Sequence, residues 1–290
     1  MANLKEIRNR IASVGSTMQI TSAMKMVSAA KLKRAQNAIV QMRPYSEKLQ
    51  EILQNVSSTL DLSENGYSEV RAEQNVLIIA ISSNRGLCGG FNSNIIKKVN
   101  NLIVTEYADK NVTVLPIGKK VFDNVKTNRQ FVATTTLGID DFFADFTFKN
   151  AATIAEYAMD NFIGKKYDKV VIVYNQFVNA ATQIVMNEQF LPIVPSENNG
   201  ENTAGDYIYE PSKAEIVEDL IPKTLKTQLY KALLDSHASE HGARMIAMNK
   251  ATDNASELKR SLTISYNKAR QAAITNEILE IVGGAEALKS

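Results

Sequence analysis

The pentapeptide His237-Ala-Ser-Glu-His241 comes nearest, in residue type and spacing, to a catalytic signature. H-x-x-E-H is the inverted zinc-peptidase pattern, and on a helix its two imidazoles share one face. Such a site also needs a third ligand and a pocket that leaves one metal position open. These are the chain's two histidines, so a third ligand would be a distant carboxylate. The helix that carries them is expected to lie in a projecting rod without a pocket, and no metal is expected there. The segment Arg85-Gly-Leu-Cys-Gly-Gly-Phe91 sits between a strand and a helix, where α/β proteins bind phosphate. It fits neither GxGxxG nor the GxxxxGK[ST] loop, and reads as a tight turn, with Arg85 at its mouth open to an acidic loop of a partner. Cys88 has no histidine near it in sequence and reads as a small packed residue. The carboxylates of the middle region are scattered, so neither a self-contained active site nor a cofactor is expected.

The elements that must position these residues are unequal. From Ala2 to Arg43 the only helix breaker is Gly15, and from Lys223 to Val282 it is Gly242. At 1.5 Å per residue these are rods of about 60 and 90 Å. A body built from the residues between them would be roughly 40 Å across, so the rods are expected to project and to run side by side as an antiparallel coiled coil. The first carries a row at alternating spacings of three and four: Leu4, Ile7, Ile11, Val14, Met18, Thr21, Lys25, Ser28, Leu32, Ala35, Ile39 and Met42. The row turns polar or small from Thr21 to Ser28, where Ile20, Met24 and Val27 make an apolar row on a neighbouring face. The seam is therefore expected to drift around the helix, either towards a second partner or through an ordinary stutter. Pro44 marks an expected bend before a further helix, Tyr45 to Leu60. In the second rod the small residues Ala238, Ala243, Ala247, Ala251 and Ala255 permit close helix approach.

Between the rods, strands and helices alternate. Val76–Ser82, Val112–Ile117, Gln130–Thr135, Lys169–Asn175 and Thr182–Phe190 read as strands. Helices are expected from a cap at Asn92 or Ser93 to Tyr107, over Lys119–Val125 and over Ala151–Phe162. This order predicts a Rossmann-like α/β domain with a mostly parallel sheet covered on both faces. Pro211-Ser-Lys-Ala-Glu215 is a capping box for the last helix, with Pro222 as a possible kink. The expected divisions are 1–60 as one shaft helix, 74–210 as the α/β domain, and 212–288 as the helix that pairs with the first.

No run approaches 18 apolar residues, so direct membrane insertion is not expected. The opening residues lack the apolar core of a signal peptide and resemble a transit peptide only in their arginines. A single cysteine fits a reducing compartment. The formal charge of +2 hides an asymmetry. Residues 1–43 carry eight Lys or Arg against Glu6 alone, while residues 44–222 carry 15 basic and 23 acidic side chains. Basic helices suit an acidic partner surface, and equally a solvated face. A nucleic-acid binder would interleave stacking aromatics, and residues 1–43 contain none.

Three stretches carry a family resemblance: IRNRIASVGSTMQITSAMKMVSAAKLKRAQ (7–36), SSNRGLCGGFN (82–92), and ARMIAMNKATDNA (243–255) continuing through YNKARQAAITNEILEIVGGAEAL (266–288). In this order they resemble the gamma subunits of F-type ATP synthases across essentially the whole chain. Asn84 departs from the aspartate that often precedes Arg-Gly in the family, which weakens any role for a carboxylate there. The resemblance implies a non-catalytic rotor. Its antiparallel coiled coil would turn inside a ring of alpha and beta subunits, and its α/β domain would sit on the c-ring beside epsilon. It implies coupling contacts with beta at Met24, Lys25, Arg85, Arg244, Arg270, Gln271, Thr275 and Glu277. It also implies a foot on the c-ring and epsilon at Tyr207 and Glu210. The implied place is the cytoplasmic face of a bacterial inner membrane, held peripherally. The competing reading is a coiled-coil tether or basic-helix binding protein.

Overall fold

The computed structural model describes residues 4–57, 66–127, 130–132, 146–193 and 213–287. Its elements follow in the order α1 (Leu4–Ser57), β1 (Asn75–Ile81), α2 (Phe91–Thr105), β2 (Asn111–Ile117), α3 (Lys119–Val125), β3 (Gln130–Phe131), α4 (Phe148–Ile163), β4 (Lys169–Phe177), β5 (Gln183–Leu191) and α5 (Lys213–Ala287). By internal contacts the chain divides into two units, Met1–Ser28 with Met245–Ser290, and Ala29–Arg244.

In the second unit the five strands form one sheet in the order β3-β2-β1-β4-β5. β1 runs parallel to β2 and β4, β2 runs parallel to β3, and β5 joins β4 antiparallel. β1 reads NVLIIAI because both of its faces are covered. Leu77, Ile79 and Ile81 pack with α4 and with Ile221, Leu225, Leu229 and Leu233 of α5. Val76, Ile78 and Ala80 pack with α2 and α3 on the other side. The expected α/β order is therefore present, and the Thr182–Phe190 strand is its antiparallel edge.

Two expectations are corrected. Pro44 does not end α1, which runs through it. Pro44 and Val40, whose carbonyl loses its donor, both lie on the exposed side, where the carbonyl is open to solvent. Pro222 also lies inside a helix, within α5. At the start of α2 neither Asn92 nor Ser93 is the cap: Gly90 holds that position without a side-chain bond, because Asn92 is engaged elsewhere. Two close approaches need glycine. At Gly118, φ +106°, a Cβ would stand 2.2 Å from the Ser82 carbonyl oxygen. At Gly242 it would stand 3.2 Å from both Cα and O of Ala180, so α5 crosses the β4–β5 turn there at backbone distance.

In the first unit, Thr21 Oγ1 lies 2.8 Å from Thr252 Oγ1, and Lys25 Nζ donates to Asn249 Oδ1 at 2.6 Å. Gly15 lies against Lys259. Residue numbers fall on one helix as they rise on the other, so the pairing is antiparallel. The heptad row of α1 stays inward throughout, with Thr21 and Ser28 buried and Lys25 half-buried. Ile20 and Val27, by contrast, are 60% and 58% exposed. The expected drift of the seam is corrected: polar residues fill the inward row and satisfy one another across it. On α5 the inward row is Met248, Thr252, Ala255, Lys259, Leu262, Tyr266, Ala269 and Ala273, again at alternating fours and threes.

Candidate coupling surface

The predicted contact residues fall in three described places. Met24 is half-buried on α1, beside Lys25, whose ammonium is held by Asn249 as above. Arg270, Gln271, Thr275 and Glu277 are exposed on α5, and Thr275 Oγ1 donates to the Gln271 carbonyl at 2.9 Å. Extending the antiparallel register places Leu4 opposite Ala269 and Arg270. Few residues of α1 remain to face the C-terminal end of α5, and Ile274, Ile278, Leu279, Ile281 and Val282 are all exposed there, Ile281 by 71%. Tyr207 and Glu210 lie outside the described residues, as do the polar loop at 198–205, Ser212 of the capping box and residues 133–135 of the expected third strand.

The third place is the glycine loop, and there the structure joins Arg85 to Arg244. Arg244 is buried. Its Nη1 donates to Glu240 Oε1 at 2.6 Å, and its Nη2 donates to the carbonyls of Arg85 and Gly86 at 3.1 and 3.4 Å. The Arg85 carbonyl accepts a second bond from Ser83 Oγ at 2.6 Å. Asn92 Oδ1 accepts from the Ser83 amide at 3.0 Å, and its Nδ2 reaches Cys88 Sγ at 3.1 Å. Ser239 Oγ donates to the Asn175 carbonyl, and Asn175 Nδ2 donates to the Phe91 carbonyl. Polar bonds therefore run from α5 through β4 to the first residue of α2. Cys88 is buried inside this turn, as a packed residue should be.

The histidine motif occupies the same helix face, and here the placement is corrected. His241 and Glu240 are buried in the α/β unit instead of standing on a rod. The ring of Phe146 stacks on His237 at 5.0 Å. Arg244 Nη1 lies 3.4 Å from His241 Nδ1, which must accept, so His241 carries its proton on Nε2. That proton is donated to His237 Nε2 at 3.1 Å. Both ring nitrogens that would face a metal are thus spent on each other, and Glu240 is spent on Arg244. Among the described residues no group of three or more His, Cys, Asp or Glu is placed to hold a metal ion. Burial, then the charges of Lys31 and Arg244, pushes His237 down to about 4. Burial, then His237, Arg244 and Lys31, pushes His241 down to about 3. Burial raises Glu240, against the pull of Arg244 and Lys31.

A family model described as ATP synthase matches residues 3–288. An ATP synthase gamma chain from Flavobacterium psychrophilum is 61% identical over 294 residues, covering 100% of both chains. The ATP synthase gamma chain of Cytophaga hutchinsonii is 51% identical, again over 100% of each. The chain belongs to the ATP synthase gamma-chain family. A chain of a solved structure, the central stalk and c-ring of Tetrahymena thermophila mitochondrial ATP synthase, is 25% identical with a TM-score of 0.57, covering 80% of this chain and 99% of that one. The rotor of Euglena gracilis mitochondrial ATP synthase shares the fold, with a TM-score of 0.66 at 21% identity over 93% of this chain and 98% of that one. Reading the sequence did not pair Arg244 with Glu240, Lys25 with Asn249 or Thr21 with Thr252. The i, i+4 spacing of Glu240 and Arg244 was a usable signal for the first. Nothing local singled out the other two.

Proposed function

We propose that this chain is the turning element of an F-type ATP synthase, coupling proton flow through the membrane sector to the nucleotide sites of the beta subunits, and that it catalyses nothing itself. The observation that carries this is the run of exposed apolar side chains from Ile274 to Val282, on the part of α5 that the antiparallel register leaves with little of α1 to face. An apolar surface of that kind on a folded chain calls for cover by another protein. In this reading the sleeve of alpha and beta subunits supplies it. A turning shaft cannot rest in one deep well, since each 1.4 kcal/mol of barrier slows passage about tenfold. Apolar contact without directional bonds suits that demand, and the sparse polar residues Arg270, Gln271, Thr275 and Glu277 mark dwell positions. Epsilon and the c-ring are the remaining partners, met through a foot at Tyr207 and Glu210. Among the described residues no helix is long and apolar enough to cross a membrane. Attachment at the cytoplasmic face of a bacterial inner membrane is therefore read as peripheral.

The test is Arg270→Ala in the reconstituted complex. Proton-driven ATP synthesis should fall several-fold while the yield of assembled complex is unchanged. Equal loss of both would remove the division between coupling and assembly.

A further inference from the structure

The Arg85–Gly90 turn carries two exposed side chains on a backbone that is bonded from several sides. Arg85 is exposed, and Leu87 is 65% exposed with φ +63°, a left-handed conformation that ordinarily belongs to glycine. An apolar residue held outward in such a conformation needs surrounding bonds to over-determine it. Those bonds are present. Ser83 and Asn92 tie the entry to the exit, the Lys119 amide donates to Asn84 Oδ1 at 3.0 Å, and Arg244 grips the carbonyls of Arg85 and Gly86 from α5.

We propose that Arg244 and Glu240 are positioning residues for the Arg85–Leu87 tip, fixing the direction in which it meets a partner subunit without touching that partner themselves. Glu240 neutralises and aims one edge of the guanidinium, and this leaves the other edge directed at the loop carbonyls. Only a planar fork does both, because a lysine ammonium is a single point that cannot span the carboxylate and two carbonyls. Both residues are buried, so neither presents a surface to another subunit. A tip pre-set in this way loses less conformational freedom when it docks. The partner feature it fits is an acidic side chain beside a small apolar pocket, answering Arg85 and Leu87 in turn. The proposal rests on the reading of Arg85 as a coupling contact.

The experiment compares Arg244→Lys, Arg85→Ala and the double variant in the reconstituted complex, with Glu240→Gln as a milder lesion of the same clasp. Hydrogen exchange on the full chain is read beside proton-driven ATP synthesis. Arg244→Lys should speed exchange at the Ser83 and Phe91 amides, which donate to Asn92 Oδ1 and the Cys88 carbonyl at the two ends of the loop, about tenfold and leave the β1 amides unchanged, as expected for a local opening. It should lower coupled synthesis, and add no further loss in the Arg85→Ala background, the signature of two residues acting as one unit. Glu240→Gln should show the same pattern at smaller size. Losses that add would give Arg244 a partner contact of its own and overturn the proposal. Unchanged loop exchange would also overturn it. Full synthesis by Arg85→Ala would instead overturn the contact reading beneath it, and faster exchange in Arg244→Lys would then mark loop rigidity alone.

Discussion

Along α5, two stretches bury polar side chains in opposite ways. In the paired segment, Thr252 and Asn249 each meet one side chain of α1, across an interface where Lys25 stays half-exposed. In the α/β unit, Glu240, His241 and Arg244 are buried together, and each bond there orients the next. The first arrangement specifies which residues face each other and costs little to open, because water can take either partner. The second cannot be opened one bond at a time, because the group left behind is a buried charge. The same helix thus has a compliant stretch, suited to a shaft that must turn, and a rigid one that mounts a loop.

The comparison breaks most readily at the clasp. Glu240→Ala leaves Arg244 buried without its carboxylate and should cost about 3 kcal/mol or more in urea unfolding. The matching lesion in the paired segment, Asn249→Ala, should cost under about 1 kcal/mol. Similar losses would erase the distinction.

The histidines give the next largest effect. Their folded pKa values lie below the unfolded value near 6.5, so the unfolded chain takes up more protons as pH falls. The stability they contribute is complete above about pH 6.5 and is lost as pH falls towards 4. For His237 alone this amounts to about 2 kcal/mol between pH 7 and 5. Glu240 and Asp235, both raised by burial, act in the opposite sense when protonated. The difference between the parent and the His237→Gln variant therefore isolates the histidine contribution. Urea midpoints followed across that range should vary less steeply in the variant, and an equal slope would remove the buried neutral imidazole.

A single substitution should have opposite signs in the two regions. Gly242→Ala forces a Cβ against the Ala180 backbone and should destabilise by about 1 to 2 kcal/mol. Gly15→Ala meets only the end of the Lys259 side chain, at 3.9 Å, and should stabilise by up to about 1 kcal/mol through helix propensity. Thermal unfolding of the two variants decides this. Smallest of all, the paired change Thr21→Val with Thr252→Val replaces both partners of one bond and should shift stability by less than about 0.5 kcal/mol.

Much of the fold was legible because its signals are periodic. The α1 heptad row is inward as its spacing demanded, and α3 begins and ends at Lys119 and Val125 as read. What misled was the weight given to polar residues in that row. Thr21, Lys25 and Ser28 looked like a seam moving aside, because one helix does not show that Thr252 and Asn249 stand opposite. Pro44 misled likewise: a missing amide breaks a helix only if nothing replaces its bond and no packing spans it, and Ile39 and Leu49 are buried on either side. The bonds around the glycine loop were not legible as an arrangement. Arg85 and Arg244 were both named as partner contacts, yet the structure turns Arg244 inward onto the carbonyl of Arg85.

The amino-acid order alone determined where most helices and strands form, which face of each is apolar, and that the long terminal helices exceed the body between them. Helix and strand periods are local and survive any tertiary arrangement. Only the folded chain decided that an arginine and a histidine would be interior groups, that polar residues would close the seam, and that the glycine turn would be clasped from 159 residues away. Those outcomes depend on what stands opposite each side chain, and burial of a charge is tolerable only where its partner is already in place.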